Sequence, residues 1–215
     1  MNCGPSVAVE RHGGVLRCPR CGDEQHVPGL PLFVVTGASG TGKSTVTGLL
    51  RRLLPDCEVF ETDALLHVAA LGLDTERGTW LRLAHDIALN GRVTVLTGSF
   101  LPSQLEPLPG RKLIGPIHFC TLDCPDAVLA ERLRSRPSWR GTSEETVITE
   151  HQRFSAWLRT SIQPCYDTSV LSPAETAGQI AAWVRQNLAG TGTEDRNGDE
   201  RDSSEATVGQ PPGVY

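Results

Sequence analysis

The 215-residue sequence contains no apolar run close to the ~20 residues that a membrane-spanning helix requires. Met1 to Leu16 also lacks the uninterrupted apolar stretch of a secretory signal, so a soluble chain in the cytoplasm is expected. Basic charge is in short supply: 20 Lys and Arg face 25 Asp and Glu, a formal net charge of −5. Six acids and only two arginines lie between Gly190 and Tyr215, which leaves the body nearly neutral. Such a body has no broad positive field for nucleic-acid phosphates, so no nucleic-acid partner is expected. The seven cysteines are odd in number and scattered, unlike the framework of a disulfide-stapled secreted domain. Nor is there an N-K-x-D string, the base-reading signature of a guanine-specific switch.

What is present alternates. Strands are expected at Pro31–Thr36, Cys57–Glu61, Arg92–Thr97, Pro116–Asp123 and Tyr166–Leu171. Helices are expected at Lys43–Leu54, Asp63–Leu71, Glu76–Asn90, Pro125–Arg136, Glu144–Thr160 and Pro173–Leu188. In Glu76–Asn90 the apolar residues Trp80, Leu81, Leu83, Ala84, Ile87 and Ala88 suit one buried face at helical period. Asn90-Gly91 supplies a stop there, and Ser172-Pro173-Ala174-Glu175 supplies a start for the last helix. Asp123 or Cys124 is the expected cap of the helix that opens at Pro125. Alternating strands and helices imply an α/β domain with a parallel sheet covered on both faces. Three segments follow: a Cys/His leader at 1–30, the α/β domain at 31–189, and a polar acidic tail at 190–215, expected to be disordered.

The most specific motif follows the first of these strands. Gly37, Ala38, Ser39, Gly40, Thr41, Gly42, Lys43 and Ser44 fit G-x-x-x-x-G-K-[ST], with Thr45 next in the helix. Glycines let the backbone wrap so that successive N–H groups face a polyphosphate. Lys43 adds positive charge at the β- and γ-phosphates, Ser44 can bind Mg²⁺, and the helix that follows aims its positive end at the same anion. ATP with Mg²⁺ is therefore the expected ligand of Gly37 through Thr45.

Asp63 comes next. It lies just past the strand Cys57–Glu61, and carboxyl ends of parallel strands open onto one crevice. A carboxylate there can take a proton from a substrate hydroxyl or help to hold Mg²⁺ through water, as well as capping a helix. The strand Arg92–Thr97 ends in Thr97-Gly98-Ser99 and lacks the acid with which motor-type ATPases hold Mg²⁺. Gly98 is read either as a point of substrate approach or as an ordinary turn glycine.

Arginines cluster further on, at Arg132, Arg134, Arg136 and Arg140. Arg132 and Arg136 are four apart and expected on one helix face. Pro137 ends that helix, so the stretch beyond it can be a mobile flap whose arginines stabilise the charge of a transferring phosphoryl group. In the leader, Cys18-Pro19-Arg20-Cys21-Gly22 has the C-x₂-C spacing of zinc ligands. Cys18 and Cys21 are thus candidate Zn²⁺ ligands, with the others to come from Cys3, His12 or His26.

Taken together, Gly37–Ser44, Asp63, the strand end Asp123-Cys124-Pro125 and the Arg132/Arg136 helix resemble small P-loop kinases. The nearest resemblance is to the gluconate and shikimate kinases, the chloramphenicol phosphotransferase type and the nucleoside monophosphate kinases, across about Pro31 to Leu188. The resemblance implies a three-layer P-loop NTPase fold, with five parallel strands in order 2-3-1-4-5. It also implies an arginine-bearing lid over ATP, and contact with adenine from Asp167-Thr168-Ser169 through Pro173. Lys43, Asp63, Arg132 and Arg136 become the candidate catalytic residues, and a small molecule with a hydroxyl becomes the acceptor. A nucleoside monophosphate acceptor would need arginines such as Arg77 or Arg82 for its phosphate. The cysteine leader is foreign to these families and could instead serve a nucleotide-binding module that docks a partner.

Overall fold

The computed structural model describes residues 10–12 and 14–194. Its strands are β1 (Glu10–His12), β2 (Val15–Arg17), β3 (Glu24–His26), β4 (Leu32–Thr36), β5 (Cys57–Glu61), β6 (Val93–Thr97), β7 (Ile117–Asp123) and β8 (Cys165–Asp167). The helices are α1 (Lys43–Leu53), α2 (Leu66–Ala69), α3 (Leu73–Ala88), α4 (Pro102–Leu105), α5 (Asp126–Arg134), α6 (Glu145–Ser161) and α7 (Pro173–Glu194). β4 to β8 form a five-stranded parallel sheet in the order β5-β6-β4-β7-β8. Counted over these five strands alone, the order is 2-3-1-4-5. All five residues of β4 are buried, as an apolar run in the centre of a doubly covered sheet should be.

The chain divides into two compact units, Met1–Val34 with Pro55–His118 and Val35–Leu54 with Phe119–Tyr215. In the first unit β5 and β6 pair in parallel from Cys57↔Val93 to Glu61↔Thr97. α3 packs on β6, with Trp80, Leu81, Ala84 and Ala88 buried along one face as the helical period requires. The Trp80 ring lies 5.7 Å from that of Phe60. Gly91, at φ 73°, donates to the Ala88 carbonyl and ends the helix. This unit also holds β1, β2 and β3, an antiparallel sheet that the sequence pattern did not reveal.

In the second unit α7 packs on α1, and Arg185 donates to the Leu53 carbonyl at the end of α1. α7 opens with a capping box: Ser172 N–H donates to Glu175 and Glu175 N–H to the Ser172 hydroxyl. It continues to Glu194, past the Leu188 end expected from sequence, and the rest of the acidic tail lies outside the described residues. The last strand is shorter than expected, since Thr168 to Val170 form a turn.

Candidate active site

In the second unit, the loop between β4 and α1 is built by close approach. A Cβ on Gly37 would stand 2.6 Å from Thr41 Oγ1 and 2.7 Å from the Leu122 carbonyl oxygen. Gly40 and Gly42 have φ of 93° and 96°, conformations that side chains rarely tolerate. Thr41 Oγ1 donates to the Ala38 carbonyl at 2.9 Å. Lys43 Nζ folds back onto the loop, donating to the carbonyls of Gly37 (2.6 Å) and Ala38 (2.9 Å). The first turn of α1 contains no acid, whereas its last turn carries Arg51 and Arg52. The arginines complement the negative end of the helix, and the missing acid leaves its positive end uncompensated by a carboxylate. Ser44 and Thr45 are exposed at that end.

Arg132 does not extend from a flap. Its Nη1 donates to the Gly40 carbonyl (3.3 Å) and to Thr168 Oγ1 (2.8 Å), and its Nη2 to the Thr168 carbonyl (2.8 Å). Thr168 in turn donates from N (2.9 Å) and Oγ1 (3.1 Å) to the Asp123 carbonyl. One guanidinium thus ties the glycine loop to the turn after β8 and, through Thr168, to the end of β7. Asp123 does not cap α5, whose N-cap is Pro125; its carboxylate accepts from Ser155 (2.6 Å) and from Arg159.

Arg136 departs from the expected geometry. α5 ends at Arg134, so Arg136 sits beyond the helix, and the four-residue spacing from Arg132 does not place both on one helix face. Of the other two arginines, Arg134 bridges Glu145 (2.8 Å), and Arg140 lies 5.0 Å from the exposed ring of Trp139. Arg136 does share a neighbourhood with Lys43, because both charges act on buried His151. Burial first, then Lys43 and Arg136, lower the His151 pKa to about 4, so the ring is neutral at ordinary pH. An isolated histidine in helical sequence carried no sign of this role; only its spatial neighbours reveal it.

The first unit holds Asp63, exposed in a 3₁₀ turn, Thr62–Leu65, that follows β5 directly. Gly98 fixes this turn by what it lacks. A Cβ there would stand 2.1 Å from Thr62 Oγ1, so the glycine admits the buried Thr62 side chain beneath Asp63. This packing against Thr62 is a reason for the glycine beyond the two read from sequence. Buried Glu76 on α3 feels the charge of Asp63. Burial raises its pKa, Arg77 opposes this, Asp63 adds to it, and a hydrogen bond from the Trp80 indole lowers it. Arg82 is exposed.

The cysteine leader folds as a tight turn between β2 and β3. The Cys18 amide donates to the Asp23 carbonyl (2.9 Å), and Gly22 N–H, at φ 73°, to the Cys18 carbonyl (2.8 Å). Cys18 is buried and Cys21 exposed. His26 pairs with Val15, at the far end of the hairpin from that turn. Cys3 and the His12 side chain lie outside the described residues. Among the described residues no three His, Cys, Asp or Glu side chains gather as a metal site.

No protein-family model and no curated protein matches the chain. Solved structures do. A sugar kinase from Janibacter is 22% identical with a TM-score of 0.54, covering 74% of this chain and 97% of its own. A putative kinase from Chloroflexus aurantiacus is 19% identical at 0.54, covering 73% and 97%. APS kinase from Mycobacterium tuberculosis, solved with AMPPNP and APS, is 19% identical at 0.51, covering 74% and 99%. At these identities the likeness establishes the fold, which is that of the small P-loop kinases.

Proposed function

We propose that the protein is a small-molecule kinase that transfers the γ-phosphoryl group of Mg·ATP to an acceptor hydroxyl. The observation that carries this reading is the glycine loop headed by Lys43 and Ser44 and bound by Arg132 to the turn after β8. Backbone N–H groups of Gly37 to Ser44 hold the β- and γ-phosphates, and Lys43 exchanges its bonds to the Gly37 and Ala38 carbonyls for phosphate oxygens. Ser44, exposed at the head of α1, would hold Mg²⁺, which supplies charge neutralisation across the β- and γ-oxygens. The P–O bond to ADP breaks as the bond to the acceptor oxygen forms, and Asp63 takes the acceptor's proton. Lys43 and Arg136 balance charge on the transferring group. Arg132 positions the loop; its bonds are committed to Gly40 and Thr168.

The test is acceptor-dependent ADP release from Mg·ATP, with sugar acids, nucleoside monophosphates and aminoglycoside or phenicol antibiotics as acceptors. Stimulation by one class identifies the acceptor. Release unaffected by every acceptor would leave a nucleotide-binding module in place of a kinase.

A further inference from the structure

The stretch after Asp63 exposes apolar side chains that a folded chain normally hides. From Ala64 to Leu73 there are eight apolar residues, one glycine and His67, with no Lys, Arg, Asp or Glu. None of these ten residues is buried, including the four of helix α2. Leu66 is 63% exposed, Leu71 76% and Leu73 40%. A single leucine on a surface is ordinary, and Leu89 at the end of α3 is one; a contiguous group marks a binding surface. Gly72, between α2 and α3, has φ 118° and ψ 140°, so the turn that carries Leu71 and Leu73 depends on a glycine.

This group begins on the turn of the proposed proton acceptor. The Leu66 amide donates to the Asp63 carbonyl. Residues three apart in a 3₁₀ turn lie one above the other, so the exposed Leu66 and Asp63 side chains share a face. A stable protein interface takes about 20–30 residues from each side, against ten here, so the group is too small for a protein partner. Small-molecule sites are mostly apolar with a few polar groups that orient the ligand, and Asp63 with the residues after it has that composition. A polyol laid on this stretch would give up water for a surface whose only polar side chains are Asp63 and His67.

We propose that residues 64–73 form an apolar subsite for the acceptor, which is an amphipathic alcohol and not a sugar acid. Its hydroxyl reaches Asp63, and its hydrocarbon or aromatic body covers Leu66 and Leu71. The role of the hydroxyl rests on the kinase reading, whereas the binding of an apolar body does not. Covering the leucines removes apolar surface of both partners from water, so affinity rises with each methylene covered.

Alkyl β-glucosides share one head of hydroxyls and differ in tail length alone. Calorimetry of the full chain with Mg·ADP compares methyl, butyl and hexyl β-glucoside, below the concentrations at which they self-associate, with gluconate as a charged polyol. Hexyl glucoside should bind at least about tenfold more tightly than methyl glucoside, and gluconate no better than methyl glucoside. Leu66→Ser and Leu71→Ser, both at exposed positions, should each reduce that preference by at least about threefold. Leu89→Ser should leave it unchanged. Mg·ADP affinity within about twofold in all three variants confirms that each is folded. No gain with tail length, a gain that survives both variants, or a gain lost equally in Leu89→Ser overturns the proposal. A dimer in sedimentation that Leu71→Ser dissociates also overturns it, since a second copy then covers the leucines. In ³¹P NMR with Mg·ATP, transfer to gluconate and to no apolar alcohol overturns the subsite and keeps the kinase. Tail-dependent binding with no transfer to any acceptor leaves the subsite standing and overturns the kinase reading instead.

Discussion

The charged residues proposed for the site are held differently in the two units. Elsewhere in the first unit, Arg92 and Arg111 are tied to backbone carbonyls as firmly as any cation of the second. In the unit that carries the glycine loop, cations are tied into the protein. Lys43 bonds the carbonyls of Gly37 and Ala38, Arg132 spans Gly40 and Thr168, and Arg159 reaches Asp123. In the other unit Asp63 stands exposed on a short turn, and Arg77 is buried with an edge unpartnered. The first pattern suits a site for a ligand common to many kinases, with its donors held in place before binding. The second suits a site completed by its own particular ligand. The proposed division of labour is therefore donor on one unit and acceptor on the other.

The sharpest break of that division is Asp63→Asn. Turnover should fall by about 10³-fold while ATP affinity is unchanged, as steady-state kinetics and calorimetry would show. Unchanged turnover would remove Asp63 as the proton acceptor. Next in size is a pH effect confined to the loop-bearing unit. His151 has its pKa lowered to about 4, from an ordinary value of 6.5. The unfolded chain then binds the extra proton between these values, so stability is full above about 6.5 and declines as pH falls towards 4, by about 3 kcal/mol. His151→Gln should flatten that part of the urea stability profile.

Two substitutions of similar cost then separate the units by readout. Gly98→Ala should cost about 2 kcal/mol, because the new methyl meets Thr62, and should disturb turnover through Asp63 rather than ATP binding. Arg132→Ala should cost about 2 kcal/mol as well, but should weaken ATP binding through the freed loop. The smallest effect is expected at the exposed Arg134–Glu145 pair, where Arg134→Ala should change stability by less than about 1 kcal/mol.

The sheet and the loop were legible because their signals are local. β4 is an uninterrupted buried run, and the glycine loop must follow it for the chain to turn into α1. The capping box at Ser172 and the stop at Gly91 were readable for the same reason. The antiparallel leader was not, since strands of three residues show no period. Arg136 was misplaced by two residues of helix, because Pro137 already disfavours helical geometry at the residue before it. The part played by Gly98 depends on Thr62, thirty-six positions away in sequence, and that of His151 on Lys43, which no spacing rule connects. Arg77 read as one of two exchangeable arginines until burial separated it from Arg82.

The central claim is transfer, and ³¹P NMR of Mg·ATP mixed with the protein and the acceptor panel tests it most directly. The account predicts that ADP appears together with an equal amount of a new phosphoester resonance from one acceptor. ADP accompanied only by inorganic phosphate, or ATP that persists unchanged with every acceptor, would contradict it.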